Sequence, residues 1–305
     1  MMGMPSLRAI LSLSRPGGLP TVWSNCLAGW WLGGGHRLEG LPWIFAGATL
    51  LYLGAAFLND AFDVVHDRQW RRARPIPAGG IGLKTAWRWG LALLVAGAFV
   101  LWGAGPVAGG LGLTLVALIV LYNLTRHALP FRPLLSGVCR WALYALGASV
   151  AARGVTGWAL WCGLAAALYV AGAGFFAGDR ERSEPRYWPA ALLAAPILLA
   201  LILNTNEYRE PALLLSAVLG IWLLRCFRYL LWRLDRNPAS ALEGMAAGLV
   251  FVDWLAACPV LPGRQSYFEG PRELSFIFLA LFGISLALHR ALREPPQNPV
   301  PAKKV

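Results

Sequence analysis

Three aspartates in one short stretch of the chain have the side-chain type and the spacing to bind a metal ion. Asp60, Asp63 and Asp67 lie at positions i, i+3 and i+7, which on an α-helix places their carboxylates along one stripe. Like charges so arranged repel each other unless a cation neutralises them. Carboxylate oxygens without thiol or imidazole neighbours suit Mg²⁺, which usually also holds phosphate oxygens. The spacing therefore predicts a Mg²⁺ site, with Asn59 beside it.

An arginine seven residues after the last aspartate completes the predicted site. Arg74 directly precedes the proline-rich turn 75–79, and a guanidinium held by a rigid turn can bind diphosphate oxygens in a bidentate way. The alternative is a solvated helix end, in which the acids only pair with the neighbouring arginines Arg68, Arg71 and Arg72.

The composition indicates an integral membrane protein. Hydrophobic residues make up 57% of the chain and charged residues 14%, and the mean hydropathy is +0.55. The net charge of +12 comes from short basic clusters between apolar runs, so it predicts contact with a lipid bilayer and no nucleic-acid partner. The five cysteines are single and lack metal-ligand spacing, which favours buried free thiols.

Ten stretches approach the length of about 20 apolar residues that a membrane span needs. If all ten span, twenty of the 27 Lys and Arg residues fall on the side of the N-terminus and five on the other side. This asymmetry predicts a cytoplasmic N-terminus. The chain is then one transmembrane domain, 1–305, with a cytoplasmic segment 1–18 and a short basic tail 293–305. The predicted spans are 19–35, 41–58, 86–103, 105–123, 134–152, 157–177, 188–204, 211–232, 240–260 and 273–291.

Two further polar clusters are predicted on the same side as the aspartates. After the fourth span, Arg126 and His127 are candidates for phosphate contact. Arg140 lies inside the fifth span, where a charge needs a partner. Arg140 either contacts phosphate or pairs with an acid of the least certain span, 240–260; these acids are Glu243 and Asp253.

The second cluster, Gly172 to Glu184, follows the sixth span and alternates acids with arginines. It is either half of a metal and diphosphate site or a solvated mixed-charge turn. The four histidines are scattered, which argues against zinc. The chain also lacks a phosphate-binding glycine loop of the GxxxxGK[ST] type, a GxSxG nucleophile motif and the aspartate pattern of CDP-alcohol phosphatidyltransferases.

The stretch NDAFDVVHD, 59–67, resembles the NDxxDxxxD first motif of the UbiA superfamily of intramembrane prenyltransferases, and RPIPAG, 74–79, resembles its RPLPSG turn. The short step from Asp67 to Arg74 and the segments LPTVWSNCLAGW and PLLSGVCR resemble an EboC-like branch. The resemblance implies an all-α bundle of about nine, possibly ten, transmembrane helices around a central cavity. It also implies residence in a bacterial-type cytoplasmic membrane.

The activity implied by the resemblance is Mg²⁺-dependent transfer of a prenyl group from a polyprenyl diphosphate to an aromatic or small hydroxylated acceptor. The catalytic metal ligands would be Asp60, Asp63, Asp67 and Asp179, with Glu181 as a further ligand. The diphosphate would be bound by Asn59, Arg74, Arg126 and Arg180.

The chain departs from the family pattern at one place, because Gly172 stands where the second motif normally opens with an aspartate. This departure leaves open an alternative function: a lipid-handling or transport protein that binds a prenyl diphosphate without transferring it. A transferase would shelter the cationic allylic carbon with aromatic rings. The candidates, which otherwise only pack between helices, are Tyr52, Phe57, Phe62, Tyr122, Phe175 and Phe176.

Overall fold

The computed structural model describes residues 7–35, 38–125, 131–178, 187–202, 209–231, 237–258 and 271–292. These residues form twelve α-helices and one 3₁₀ turn, Pro16–Gly18, and they contain no strand. The helices are α1 Leu7–Ser14, α2 Leu19–Leu32, α3 Leu41–Phe62, α4 Val64–Trp70, α5 Leu83–Gly103, α6 Pro106–Leu124, α7 Arg132–Ser149, α8 Gly157–Gly178, α9 Pro189–Ile202, α10 Arg209–Leu231, α11 Pro238–Ala257 and α12 Pro271–Ala291.

The all-α membrane fold predicted from the sequence is confirmed, and each of the ten predicted stretches coincides with one long helix. Seven helices in the described ranges are long and apolar enough to cross a membrane: α3, α5, α6, α8, α10, α11 and α12. Of the other three, α2 and α9 have 14 residues each, and α7 carries Arg132 and Arg140. The stretch around Glu243 and Asp253, the least certain prediction, forms the well-buried helix α11.

Two glycines let α2 and α7 pack with their backbones in contact. A Cβ atom on Gly29 would lie 2.1 Å from the carbonyl oxygen of Tyr144, and one on Gly147 would lie 2.0 Å from that of Cys26. Any larger residue at either position would push the helices apart. Such small-residue contacts are a common way of packing helices in lipid, where apolar burial gives little driving force. This contact fixes how α2 and α7 meet along one side of the cavity that is described below.

Two apolar cores share α2. One is built around Trp30, Tyr169 and Phe278 and joins α2 to α8, α11 and α12. The other lies between α2, α3, α5, α6 and α7, with Ile44 and Leu101 fully buried. The cavity described below lies on this second side of the molecule.

The helix that carries Asp60 ends at Phe62, before the other two aspartates, although the sequence pattern predicts one continuous helix for all three. A turn at Asp63 separates α3 from α4. The helical hydrogen bonds nevertheless continue across it, since the Asp63 amide donates to the carbonyl of Asn59 over 3.0 Å and the Asp67 amide to that of Asp63 over 2.8 Å. The backbone between the three aspartates thus keeps helical hydrogen bonding in spite of the turn. The region where α3 and α4 meet is called the aspartate end of the bundle.

Candidate functional site

The three aspartates are buried at the aspartate end. Asp60, Asp63 and Asp67 expose 5%, 4% and 1% of their surface. A solvated helix end would use Arg68, Arg71 and Arg72 as partners, but the ion pairs of the aspartates among the described residues are to Arg15, His66 and Arg74. The alternative of a solvated helix end is therefore wrong.

Arg74, predicted from the sequence to bind diphosphate, pairs with two of the acids in this structure. Its Nη1 atom lies 3.2 Å from Asp60 Oδ1 and 3.3 Å from Asp67 Oδ2. The turn that carries it is fixed by backbone hydrogen bonds, including one of 2.9 Å from Gly80 to the carbonyl of Pro75, and by the left-handed φ of 77° at Gly79. The turn thus holds one guanidinium between two carboxylates.

A second arginine at the row was not predicted. Arg15, between α1 and α2, forms an ion pair with Asp60. Its backbone is in the left-handed region, with φ 46°, and the Tyr52 hydroxyl donates a 2.7 Å hydrogen bond to its carbonyl oxygen. A non-glycine residue in this region is strained, and such strain persists where surrounding contacts impose it. Nothing in the sequence singles Arg15 out, because it stands alone near the N-terminus.

The carboxylate oxygens are the donor type that a hard cation prefers. Some of these oxygens are, however, paired with Arg15 and Arg74. Asp67 Oδ1 is buried and lacks a hydrogen-bond partner among the described residues, as a carboxylate oxygen reserved for a ligand would. In the same ranges, no three Asp, Glu, His or Cys side chains stand close enough together to hold a metal ion. The predicted ligands Asp179 and Glu181 lie outside the described residues, as do Arg180, Glu184, Arg126 and His127.

A third arginine, also missed by the sequence analysis, joins α7 to the site. Arg132 Nη2 donates a 3.3 Å hydrogen bond to Asn59 Oδ1, and its guanidinium lies 4.0 Å from the centre of the Tyr122 ring. The first residue of α7 is thus tied to the end of α3 and to the end of α6. The sequence signal was weak, since Arg132 is one of several basic residues in a loop.

A cavity of about 250 Å³ opens beside these residues, between α2, α3, α6 and α7. Its polar groups include Arg15, Asn59 and Tyr122 near the aspartate end, and its remaining wall is mainly apolar, with Ala48 and Leu143 among the lining residues. The cavity therefore offers space for an apolar chain directly next to the row of acids.

Of the six aromatic residues considered as shelters for a cation, only Tyr52 and Tyr122 line this cavity. The other four pack against rings elsewhere, as the competing interpretation predicts. The pairs, with their centroid distances, are Phe57 and Trp89 at 6.3 Å, Phe62 and Trp87 at 4.7 Å, Phe175 and Trp188 at 4.6 Å, and Phe176 and Phe227 at 5.5 Å.

The last turns of α8 lie beside the start of α7, which places the origin of the second acidic cluster near the site. A Cβ atom on Gly174 would lie 2.9 Å from Pro133 Cβ. Gly172, two residues earlier, faces a different neighbour: a Cβ there would come within 2.8 Å of the carbonyl oxygen of Pro189, at the start of α9. Gly172 is therefore a packing contact between α8 and α9, with no room for a carboxylate.

The UbiA prenyltransferase family model matches residues 19–252 of this chain, which include the aspartate row, Arg74 and, apart from Arg15, the residues that line the cavity. The chain belongs to the UbiA prenyltransferase family. Solved structures of the family share its fold. One is a digeranylgeranylglyceryl phosphate synthase, with 17% identity, TM-score 0.55, and 92% of this chain and 99% of the other covered.

A second solved UbiA homologue, from Archaeoglobus fulgidus and bound to GPP and Mg²⁺, has 14% identity and TM-score 0.50, with 93% of this chain and 99% of the other covered. No curated protein matches the chain in sequence. At these identities the structural similarity shows the fold of this UbiA protein, and its substrates must be argued from its own residues. The resemblance to an EboC-like branch stays a prediction.

Proposed function

We propose that this UbiA protein transfers a prenyl group from a polyprenyl diphosphate to a small aromatic or hydroxylated acceptor inside the membrane. The observation that carries the proposal is the row of buried aspartates, crossed by Arg74, at one end of a largely apolar cavity. A substrate with a long apolar chain and a charged diphosphate would fit the apolar cavity with its chain and the charged aspartate end with its diphosphate. The UbiA homologue bound to GPP and Mg²⁺ supports the same substrate class.

The metal of this reaction is proposed to be Mg²⁺. It would be held by Asp60, Asp63 and Asp67, which would have to draw closer together than they stand in this structure, and by Asp179 and Glu181. When bound, Mg²⁺ would supply Lewis-acid stabilisation of the negative charge that develops on diphosphate. Asp67 Oδ1, which makes no hydrogen bond among the described residues and has only His66 Nδ1 nearby at 3.8 Å, is proposed as one of the oxygens that bind Mg²⁺.

The chain's own cations are proposed to bind the diphosphate. Arg74 spans two carboxylates with one Nη1 atom, which leaves its Nη2 group for phosphate oxygens. Arg15 and Arg132 flank the row, and Asn59, Arg126 and Arg180 complete the proposed set. Positive groups placed where negative charge accumulates in the transition state are usually the largest catalytic contribution.

Departure of diphosphate leaves a cationic allylic carbon, which must be kept from water until the acceptor attacks. The mainly apolar wall of the cavity would disfavour water, and the rings of Tyr52 and Tyr122 are part of that wall. A cation over an aromatic face is stabilised by about 0.5–2 kcal/mol. Tyr122 has the guanidinium of Arg132 4.0 Å from its ring centre, which supports a role for this ring beside positive charge.

We also propose that the aspartate end faces the cytoplasm. The segments that adjoin this end carry most of the Lys and Arg residues, as expected of cytoplasmic loops. Cysteine labelling by a membrane-impermeant maleimide in intact cells tests the orientation with a single cysteine placed at the exposed Ala78. Labelling in opened membranes only is expected, and labelling in intact cells would reverse the assignment.

The alternative function, binding of a prenyl diphosphate without transfer, is favoured by the closed contact at Gly172, because the acid that opens the second family motif has no room there. One experiment separates the two functions. Isolated membranes receive geranylgeranyl or farnesyl diphosphate with and without Mg²⁺ and a cell extract as the source of acceptors. Mg²⁺-dependent diphosphate release with a new prenylated product supports transfer. Saturable substrate binding without diphosphate release supports the alternative.

A further inference from the structure

A second polar site lies deeper in the same cavity and is not explained by diphosphate binding. Arg140, on α7, lines the cavity and donates one 3.0 Å hydrogen bond from Nη1 to Asn25 Oδ1 on α2. It forms no ion pair with any carboxylate in the described part of the chain. Neither acid considered from the sequence is its direct partner, since Glu243 lines a different cavity and Asp253 is reached only through Asn25.

Asp253 is fully buried and already satisfied without Arg140. The amide of Asn25 donates to both of its oxygens, over 2.7 and 2.8 Å, and the hydroxyl of Tyr144 donates over 2.6 Å. The hydroxyl of Ser24 also donates to it. A buried carboxylate with this many donors needs no further partner for its hydrogen-bonding capacity. Fastening α2, α7 and α11 together therefore does not require an arginine at position 140.

The guanidinium of Arg140 has unused capacity that faces the cavity. An arginine carries five N–H donors, and Asn25 is the hydrogen-bond partner that the described residues provide. The negative charge of Asp253 balances that of Arg140, but Asn25 lies between the two side chains. Arg140 lines the cavity and Asp253 does not. A partly buried cation that faces an apolar cavity strongly favours an anionic ligand, because water there is scarce.

The position of Arg140 relative to the aspartates fits an acceptor substrate. Arg132 binds Asn59 at the aspartate end, and Arg140 follows eight residues later on α7, about 12 Å further along the helix axis. Between these two arginines, α7 contributes Ser136 and Cys139 to the cavity wall, which is mainly apolar as a whole. A compound with its charged group on Arg140 extends back towards the end where the allylic carbon would lie.

We infer that Arg140 binds an anionic group of the acceptor, a carboxylate or a phosphate monoester, and that Asn25 and Asp253 position its guanidinium. The inference rests on the proposed transferase function and narrows its acceptor to an acid. Arg140 is then a specificity-determining residue, separate from the cations that bind diphosphate.

The test uses purified full-length protein in detergent with labelled geranylgeranyl diphosphate and Mg²⁺. The acceptor source is a cell extract that anion exchange has separated into an acidic and a neutral fraction. Labelled product is expected with the acidic fraction only. Phosphatase treatment of that fraction distinguishes the two acids, since it destroys a phosphate monoester acceptor and leaves a carboxylate acceptor intact.

The variant Arg140→Gln is expected to raise the KM for the acidic fraction about 10-fold or more, as the loss of a charged hydrogen bond does. Its KM for geranylgeranyl diphosphate should stay unchanged, and Arg140→Lys should restore part of the acceptor affinity. Arg225→Gln is the matched control, because Arg225 lies over Trp222 at a different cavity. The thermal unfolding midpoint of each variant checks folding.

The outcomes separate the inference from the function on which it rests. If product forms equally well from the neutral fraction, or if folded Arg140→Gln keeps the wild-type acceptor KM, the inference fails and the transferase function stands. If the wild-type protein releases no diphosphate with either fraction, the proposed function fails and takes the inference with it.

Discussion

The guanidinium of Arg74 lies 3.3 Å from the carboxylate of Asp67, seven residues earlier in the chain. The same Nη1 atom lies 3.2 Å from Asp60. One cation thus neutralises part of a row of acids that a metal would otherwise have to balance alone. Mg²⁺ binding to these carboxylates, as proposed above, would have to compete with Arg74 for Asp60 and Asp67.

Removing the charge of one aspartate should abolish turnover without unfolding the protein. Asp63→Asn and Asp67→Asn keep the side-chain shape but weaken the binding of a hard cation. We expect Mg²⁺-dependent diphosphate release to fall on the order of 100-fold or more, in the range seen when one group that stabilises transition-state charge is lost. Glu39→Gln, at an exposed acid before α3, is the control. Full activity in both aspartate variants would overturn the metal assignment.

Arg74 should not be replaceable by lysine. Lysine keeps the charge, but its single amino group cannot pair with both carboxylates and also offer the separate Nη2 group proposed to bind phosphate oxygens. Arg74→Lys and Arg74→Gln are both expected to raise the KM for the prenyl diphosphate, by about 10-fold or more for Gln. Arg72→Gln is the matched control, since Arg72 is exposed and its hydrogen bond within the described ranges is to the carbonyl of Arg68, over 3.2 Å. Equal KM values for Arg74→Gln and the control would remove Arg74 from the site.

Restoring the family's acid at position 172 should damage the fold. A side chain on Gly172 meets the carbonyl oxygen of Pro189 at 2.8 Å, so that α8 and α9 must separate. Gly172→Ala is expected to lower the free energy of unfolding by about 1–3 kcal/mol, and Gly172→Asp by more. The control is Gly110→Ala on α6, which has open space around it and should be neutral or slightly stabilising. Thermal unfolding in detergent measures both, and wild-type stability in Gly172→Asp would contradict the packing argument.

The hydroxyl of Tyr144 should be worth more than an average hydrogen bond. It donates over 2.6 Å to Asp253, a carboxylate with no exposed surface. Tyr144→Phe leaves that carboxylate with one donor fewer and should cost about 1–3 kcal/mol of unfolding free energy. Tyr187→Phe serves as control because Tyr187 is 68% exposed. A difference below about 0.5 kcal/mol between the two variants would show that the network does not stabilise the bundle.

The apolar stretches and the aspartate spacing determined much of this protein before any folding was considered. A run of about 20 apolar residues has few stable forms other than a membrane helix, which is why the ten predicted stretches coincide with helices. The aspartate row and Arg74 are equally local, because seven residues of helix and a proline-rich turn bring them together without help from distant segments.

Only the tertiary structure decided which distant residues share the cavity. Arg15 reaches Asp60 from 45 positions away in the chain, and Arg132 reaches the neighbouring Asn59 from 73 positions away. No local pattern marks either arginine. In the sequence, Gly172 stands where the family resemblance predicts an aspartate. In the fold, it is a packing contact between α8 and α9. Arg140 and Asp253 are connected through Asn25 because two glycines let α2 and α7 approach closely. Such pairings depend on how helices pack, which hydropathy and spacing do not encode.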